Sequence, residues 1–79
     1  MITAQVAVYP LKTNNASGII NNSINALKDK NVNYNVNSMN TMLSGNKEEI
    51  FNSLSTMFSE AENIGGEINM VVTISNASS

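Results

Sequence analysis

The spacing of the apolar residues changes repeatedly along the chain, and this alternation restricts the possible folds more than any other feature. A period of two is typical of strands with one buried face, and spacings of three and four are typical of helices. Strands are predicted at residues 2–11, 31–38, 41–44 and 67–75, and helices at residues 17–30 and 46–64. The predicted order is therefore strand, helix, strand, strand, helix, strand.

This order predicts an α+β fold. Each β-α-β unit requires a right-handed crossover, and two such units interleaved give the ferredoxin-like βαββαβ sandwich. We expect a four-stranded antiparallel sheet with both helices on one face. A chain of 79 residues is long enough for one small domain, to which we assign residues 1–79.

Local signals mark the ends of the two predicted helices. Ser17 is the predicted N-cap of the first helix, and Asn46, with Glu49 three residues later, forms a capping-box pattern for the second. Gly65-Gly66 is a typical C-terminal stop. The helices are predicted to bury one apolar stripe each, formed by Ile20, Ile24, Leu27, Phe51, Leu54 and Phe58.

The composition removes most catalytic chemistry. The chain contains neither cysteine nor histidine, so the usual ligands of zinc, haem and iron–sulfur clusters are missing. Histidine-based triads and thiol nucleophiles are excluded for the same reason. We therefore expect no catalytic residue, no metal site and no cofactor.

The charge pattern excludes several classes of partner. The chain carries four scattered lysines, no arginine and a net charge of −2, which cannot form a basic surface for nucleic acid. No apolar run reaches the length of about 18–20 residues that a membrane span needs. The first residues show no basic region followed by an apolar stretch, so the predicted location is the cytoplasm.

A small core without disulfides favours association with further copies of the chain. The sheet face away from the helices is predicted to carry Gln5, Ala7, Tyr9, Val71 and Thr73, a surface that is partly apolar. We expect another subunit to cover this face.

The segment from Tyr34 to Gly45 is the most informative for function. Period two places Val36 and Ser38 on the helix side with Tyr34, and Thr41 can share that side across the hairpin. Small hydroxyl residues thus occupy positions where a core favours Val or Leu. They are either turn residues that satisfy local backbone groups or polar groups at the rim of an apolar pocket. The residues alone leave both interpretations open.

Four segments of the chain resemble the small thiamine/hydroxymethylpyrimidine-binding protein family. They are a first strand ending in Pro10-Leu11, the helix end Ala26-Leu27-Lys28, a Tyr-x-Val-x-x-x-x-Thr-x-x-x-Gly motif from Tyr34 to Gly45, and the last strand around residues 71–74. The resemblance covers nearly the whole chain. One departure is Ser44, which stands where the family usually has Glu.

The resemblance implies a ferredoxin-like fold, assembly into a homodimer or homotetramer, and binding of thiamine or its hydroxymethylpyrimidine moiety without catalysis. Thr41 corresponds to the family's most characteristic position, and Asn40 to one that is small or polar. We take Thr41, Asn40, Ser38 and Tyr34 as the candidate ligand-binding residues.

An aminopyrimidine has a flat apolar body and an edge of alternating donors and acceptors, which hydroxyl and amide side chains can match. Met39, Met42, Phe58 or Tyr34 could supply apolar walls, because flexible and aromatic side chains adapt to flat rings. The alternative function is a ligand-free structural or regulatory module that acts through contacts between identical subunits.

Overall fold

The computed structural model describes residues 1–77, which form a four-stranded antiparallel sheet with two helices packed on one face. The strands are β1 (Ile2–Pro10), β2 (Asn33–Val36), β3 (Thr41–Gly45) and β4 (Ile68–Ser75). The helices are α1 (Ala16–Asn25), which continues into a 3₁₀ turn at Ala26–Asp29, and α2 (Lys47–Gly65). The predicted ferredoxin-like α+β fold is confirmed.

The strand order is β2-β3-β1-β4, so the first strand lies inside the sheet and the second and fourth form its edges. β1 pairs with β4 from Thr3–Ser75 to Pro10–Ile68 without interruption. On its other side β1 pairs with β3, and β3 with β2. This register fixes which side chains point towards the helices.

The core lies between the inner face of the sheet and the two helices. Leu27 and Leu54 are buried there, as predicted. β2 contributes no buried residue, because it lies at the edge of the sheet while the helices pack against β1, β3 and β4. The buried apolar residues come from the other elements: Ala4, Val6, Val8, Ile19, Leu27, Leu43, Ile50, Leu54, Met57 and Ala61.

The prediction for the first helix was wrong in its start and in its buried face. Asn15 rather than Ser17 occupies the N-cap position, although its side chain makes no capping hydrogen bond. Ile19, Ser23 and Leu27 are buried, whereas Ile20 and Ile24 are only half-buried. The buried face is hard to recognise from the sequence, because one of its three residues is a serine. Ser23 fits there because its hydroxyl donates to the backbone oxygen of Ile20 at 2.8 Å.

The cap and the stop predicted for the second helix are confirmed. The side chain of Asn46 accepts a hydrogen bond from the Glu49 N–H at 2.9 Å. Gly66 follows the helix with a φ of 78°, a backbone conformation that favours glycine. Within residues 1–77, neither helix has the combination of length and hydrophobicity needed to cross a membrane.

The predicted burial of Phe51 on α2 was wrong. Phe51 is 51% exposed and Phe58 is half-buried. Ile50, on the face that packs on the sheet, precedes Phe51, and successive helical residues point about 100° apart. Phe51 therefore turns away from the core and borders a shallow groove with Ile2 and Ile74 beside β4.

The second strand is shorter than its alternating pattern predicted. It ends at Val36, and residues 37–40 form the turn that leads into β3. The backbone N–H of Asn37 donates to the backbone oxygen of Asn40 at 2.8 Å, which closes the turn. The predicted hairpin between the second and third strands is confirmed, with Ser38 and Met39 at its tip.

Candidate ligand-binding site

A cleft of 380 Å³ lies between α1 and the end of the sheet that carries the 37–40 turn. Its lining comes from the last part of β1, from one face of α1 and from the turn. This volume is within the range of about 300–1,000 Å³ found for small-molecule pockets. Most of the lining is apolar and is formed by Val6, Val8, Tyr9, Ile20, Ile24, Val36, Met39 and Met57.

The cleft exists because the sheet extends beyond its helical cover. Val36 pairs with Thr41, and Thr41 pairs with Val6, so one row of side chains crosses three strands on the inner face. Val6 is buried, but Val36 on the edge strand is exposed. Ile20 and Ile24 face the space that remains, which explains why both are only half-buried.

The polar groups of the cleft gather at the turn. Thr41 is only 4% exposed, yet within residues 1–77 its hydroxyl makes no hydrogen bond to the protein. Ser38 and Asn40 lie beside it, and Asn21 contributes an amide from α1. The Asn37 amide nitrogen donates to Oδ1 of Asn40 at a long 3.5 Å. These groups supply uncharged donors and acceptors at one end of an apolar cleft.

The structure brings three of the four candidate binding residues together. Ser38, Asn40 and Thr41 all line the cleft. Tyr34 lies outside it and borders a separate, shallower depression with Leu43, its partner across the hairpin. Tyr34 pairs with Leu43 in the middle of β3, two residues further from the turn than Val36. Its distance along the strand therefore separates it from the other three residues.

Among the four side chains considered as apolar walls, Met39 lines the cleft. Met42 faces the opposite side of the sheet, where it pairs with Gln5. Neither Phe58 nor Tyr34 belongs to the lining. The apolar walls come mainly from β1 and α1.

Sequence reasoning missed most of the cleft lining, including Tyr9, Asn21, Ile24 and Asn37. Ile24 had been assigned to the core, and Asn21 has the pattern of an ordinary surface residue. Val6 pairs with Thr41, so Tyr9, three residues further along β1, lies near the turn. Tyr9 could have been identified as a lining residue only if this strand register had been known. Which α1 residues line the cleft depends on the rotation of the helix about its axis. The sequence does not reveal that rotation, because the polar residue Ser23 occupies a buried position.

The described residues hold no arrangement suited to a metal ion. No group of three or more acidic side chains in residues 1–77 is placed to bind one. An exposed ion pair joins Lys12 Nζ and Glu67 Oε2 at 2.9 Å, outside the cleft lining. The cleft can therefore orient a flat, uncharged ring through hydrogen bonds and apolar contact.

Fold and cleft together define a small ferredoxin-like α+β protein with an uncharged cleft of ligand size. The chain belongs to the YKOF-related family, whose sequence profile matches residues 1–79. No curated protein sequence matches the chain.

Several solved structures share this fold. A protein from Streptococcus pneumoniae is 20% identical with a TM-score of 0.91, over 98% of this chain and 87% of that one. A domain of unknown function (DUF77) from Bacillus cereus is 20% identical with a TM-score of 0.86, over 96% and 75%. A Thermotoga maritima protein provisionally assigned to thiamine biosynthesis or salvage is 19% identical with a TM-score of 0.85, over 96% and 83%. Sequence identities this low show that the fold is shared and do not identify the ligand.

Proposed function

We propose that the protein binds hydroxymethylpyrimidine, free or as part of thiamine, in the cleft beside the 37–40 turn, without catalysing a reaction on it. The observation that carries the proposal is Thr41, a residue only 4% exposed at an apolar cleft, whose hydroxyl has no hydrogen-bond partner within residues 1–77. This hydroxyl is therefore free to pair with a ligand that enters the cleft.

The chemistry of the lining fits an aminopyrimidine ring. Ile20 and Ile24 on α1 offer an apolar surface to one side of the cleft, and the sheet offers Val8 and Val36. The Thr41 hydroxyl can donate or accept a hydrogen bond. The side-chain amides at the rim can also donate and accept. The ring nitrogens of the ligand can therefore find donors, and its exocyclic amine can find acceptors.

Two further points support the choice of ligand. The segments quoted above resemble the thiamine/hydroxymethylpyrimidine-binding family, and the Thermotoga maritima neighbour is provisionally assigned to thiamine biosynthesis or salvage. We include a location in the cytoplasm in the proposal.

A binding role agrees better with the lining than an enzymatic one. Within residues 1–77, no carboxylate, imidazole, thiol or ammonium group lines the cleft. General acid–base catalysis and nucleophilic catalysis normally depend on one of these groups. We therefore propose that the bound ligand is held and released unchanged.

Isothermal titration calorimetry with three ligands tests the proposal. Hydroxymethylpyrimidine and thiamine are expected to bind with measurable heat, and hydroxyethylthiazole, the other half of thiamine, is expected to give none. The same ranking is expected for thermal stabilisation, because a ligand that binds the folded state raises its stability. The absence of both heat and thermal shift with millimolar hydroxymethylpyrimidine and thiamine contradicts the proposal.

A second candidate function is a module that acts through contacts between identical subunits. Its support is the outer face of the sheet, where Val71 is 58% exposed and lies opposite Ala7, with Tyr9 nearby. Burial of this face in a homodimer or homotetramer would remove apolar surface from water. Val71 lies outside the cleft lining, whereas Ala7 and Tyr9 border both the cleft and this face.

A further inference from the structure

We propose that Asn37, at the rim of the cleft, is a site of spontaneous deamidation, a modification that converts an uncharged amide of the lining into a carboxylate. Asn37 is exposed, follows the last residue of β2 and lines the cleft as the first residue of the 37–40 turn. Exposed turns are the parts of a domain where the backbone is least constrained and most open to chemical attack. The modification itself requires no ligand, so it is independent of the proposed function.

The reaction needs only the chain and water. The backbone nitrogen of Ser38, the next residue, attacks Cγ of Asn37. A C–N bond forms, and the side-chain nitrogen leaves as ammonia, with the proton that the Ser38 amide loses. The product is a five-membered succinimide ring. Water then adds to one of the two ring carbonyls and breaks one ring C–N bond: opening at Cγ gives aspartate, and opening at the backbone carbonyl gives isoaspartate.

The residue after each asparagine restricts where this ring can close. A bulky or β-branched side chain on that residue hinders the approach of its nitrogen, whereas a small one does not. The chain contains fifteen asparagines and no Asn-Gly pair. A serine or alanine follows asparagine at six places: the Asn-Ser pairs begin at residues 22, 37 and 52, and the Asn-Ala pairs begin at residues 15, 25 and 76.

Among the three Asn-Ser pairs, the one at Asn37 lies in a turn and the other two lie inside helices. Asn22 is in α1 and Asn52 is in α2, where the backbone N–H of the following serine belongs to the helical hydrogen-bond ladder. Within residues 1–77, the Ser38 N–H donates no hydrogen bond. The Asn37 side-chain nitrogen, which has to leave, donates to Asn40 Oδ1 at a long 3.5 Å.

The three Asn-Ala pairs are constrained by their surroundings. Ala16 is the first residue of α1, and the Ala26 N–H donates to carbonyl oxygens of the same helix. The Ala77 N–H donates to Ser75 Oγ at 2.9 Å. A nitrogen whose proton is held in a hydrogen bond, or whose backbone is helical, is less available for the attack. Sequence and structure therefore agree on Asn37.

Deamidation would change the electrostatics of the cleft, and this consequence rests on the proposed function. Within residues 1–77 the lining contains no charged side chain, so the product would add its one carboxylate. A carboxylate attracts the positive thiazolium ring of thiamine, whereas the free pyrimidine alcohol carries no such charge. The modified protein is therefore expected to shift its preference towards thiamine.

Peptide mapping by mass spectrometry, after incubation of the native protein in mildly alkaline buffer, tests the modification. In the folded protein, Asn37 is expected to deamidate faster than Asn22 and Asn52, because the helices protect those two residues until they open. In urea the three rates are expected to converge. Equal rates at the three residues in the folded protein would overturn the proposal. A preference for Asn37 that persists in urea would overturn its structural basis.

Calorimetric titration of Asn37→Asp with thiamine and with hydroxymethylpyrimidine tests the effect on binding. The ratio of thiamine affinity to pyrimidine affinity is expected to rise by about two- to five-fold, as for an exposed ion pair, and high salt is expected to reduce this gain. Asn35→Asp adds the same charge to β2 outside the lining and is the matched control.

The outcomes separate the modification from the function. An unchanged ratio in Asn37→Asp, or an equal rise in Asn35→Asp, overturns the effect on binding and leaves the modification standing. Heat from neither ligand with the native protein overturns the proposed function, whereas the mass-spectrometric result decides the modification by itself.

Discussion

Thr41 and Val36 lie opposite each other as the last residue pair of the β2–β3 ladder, and both side chains line the cleft. Val36 is exposed at the sheet edge, whereas Thr41 is almost completely buried. The pair therefore spans the cleft from its open side to its inner end. This arrangement places the Thr41 hydroxyl beside the apolar walls, with the polar turn adjacent.

Replacing Thr41 by Val tests the role of that hydroxyl. The change keeps the shape of the side chain and removes its one polar atom. If the hydroxyl pairs with the ligand, hydroxymethylpyrimidine binding is expected to weaken by about 1–3 kcal/mol, or about ten-fold or more in affinity. Calorimetric titration measures the change, and thermal unfolding is expected to show a fold at least as stable as the native one.

Thr73→Val is the matched control for Thr41→Val, because Thr73 is an exposed strand residue outside the cleft lining. It is expected to leave the affinity for hydroxymethylpyrimidine unchanged. If native affinity is also found for Thr41→Val, the protein still binds the ligand but not through this hydroxyl.

The outer face of the sheet is tested by Val71→Lys. The new ammonium group would have to be desolvated in a contact between subunits, so association is expected to weaken by about ten-fold or more. Sedimentation velocity at several protein concentrations measures this change. Asn52→Lys adds the same charge on an exposed position of α2 and is expected to leave association as it is. A native protein that is monomeric at micromolar concentration would refute the proposed assembly.

The close approach of Gly65 to α1 predicts a steric effect on stability. A Cβ at Gly65 would lie 2.9 Å from Cδ1 of Ile19 and 3.1 Å from Cδ1 of Ile68. Ile19 is buried and has little room to move, so Gly65→Ala is expected to destabilise the fold by about 1–3 kcal/mol. Urea unfolding followed by circular dichroism measures the loss.

Gly18→Ala is the contrasting variant, since the added methyl group meets only the exposed side chain of Asn15. That side chain can rotate away, and alanine is a better helix former than glycine by about 1 kcal/mol. Gly18→Ala is expected to be neutral or stabilising. A Gly65→Ala protein as stable as Gly18→Ala would show that the contact with Ile19 is not tight.

The buried hydroxyl of Ser53 predicts a substitution that stabilises the fold. Ser53 is completely buried on α2, and its Oγ has no hydrogen-bond partner within residues 1–77. Ser53→Ala removes this unpaired group and is expected to raise the free energy of unfolding by about 1 kcal/mol. For a domain of this size that corresponds to about 4–8 °C in melting temperature.

Ser23 provides the comparison, because it is equally buried but its hydroxyl donates to the Ile20 oxygen. Ser23→Ala loses that hydrogen bond and is expected to gain less than Ser53→Ala. Differential scanning calorimetry of the two variants and the native protein gives both values. A lower melting temperature for Ser53→Ala than for the native protein would contradict the assignment of an unpaired hydroxyl.

Element order was predictable from the sequence because strands and helices leave different apolar periods. The cap at Asn46 and the glycine stop at 65–66 were predictable too, since each depends on local chemistry. The buried face of α1 was not, because Ser23 occupies a core position. The exposure of Phe51 was not predicted either. The sequence shows that the residue is hydrophobic, but it does not show how much of the helix surface the sheet covers.

Part of the candidate site was predictable for a similar reason. Ser38, Asn40 and Thr41 are close in sequence, so the hairpin alone brings them together. Tyr9 and Asn21 come from other elements, and their positions depend on the strand register and on the rotation of α1. Tyr34 shares the face of Thr41, but the distance along the strand separates it from the turn. The turn residues of the site could thus be predicted from local sequence, whereas the wall residues on β1 and α1 depend on tertiary packing.

The most direct test of the central claim is chemical-shift mapping by NMR during titration with hydroxymethylpyrimidine. Isotope-labelled protein reports binding and location in one experiment. We expect saturable shifts of backbone amides at residues 37–41, and of Asn21 on α1, with little change in the α2 segment after Ala61. Saturable shifts confined to another surface would contradict the assigned cleft, and the absence of any shift at millimolar ligand would contradict the proposed function.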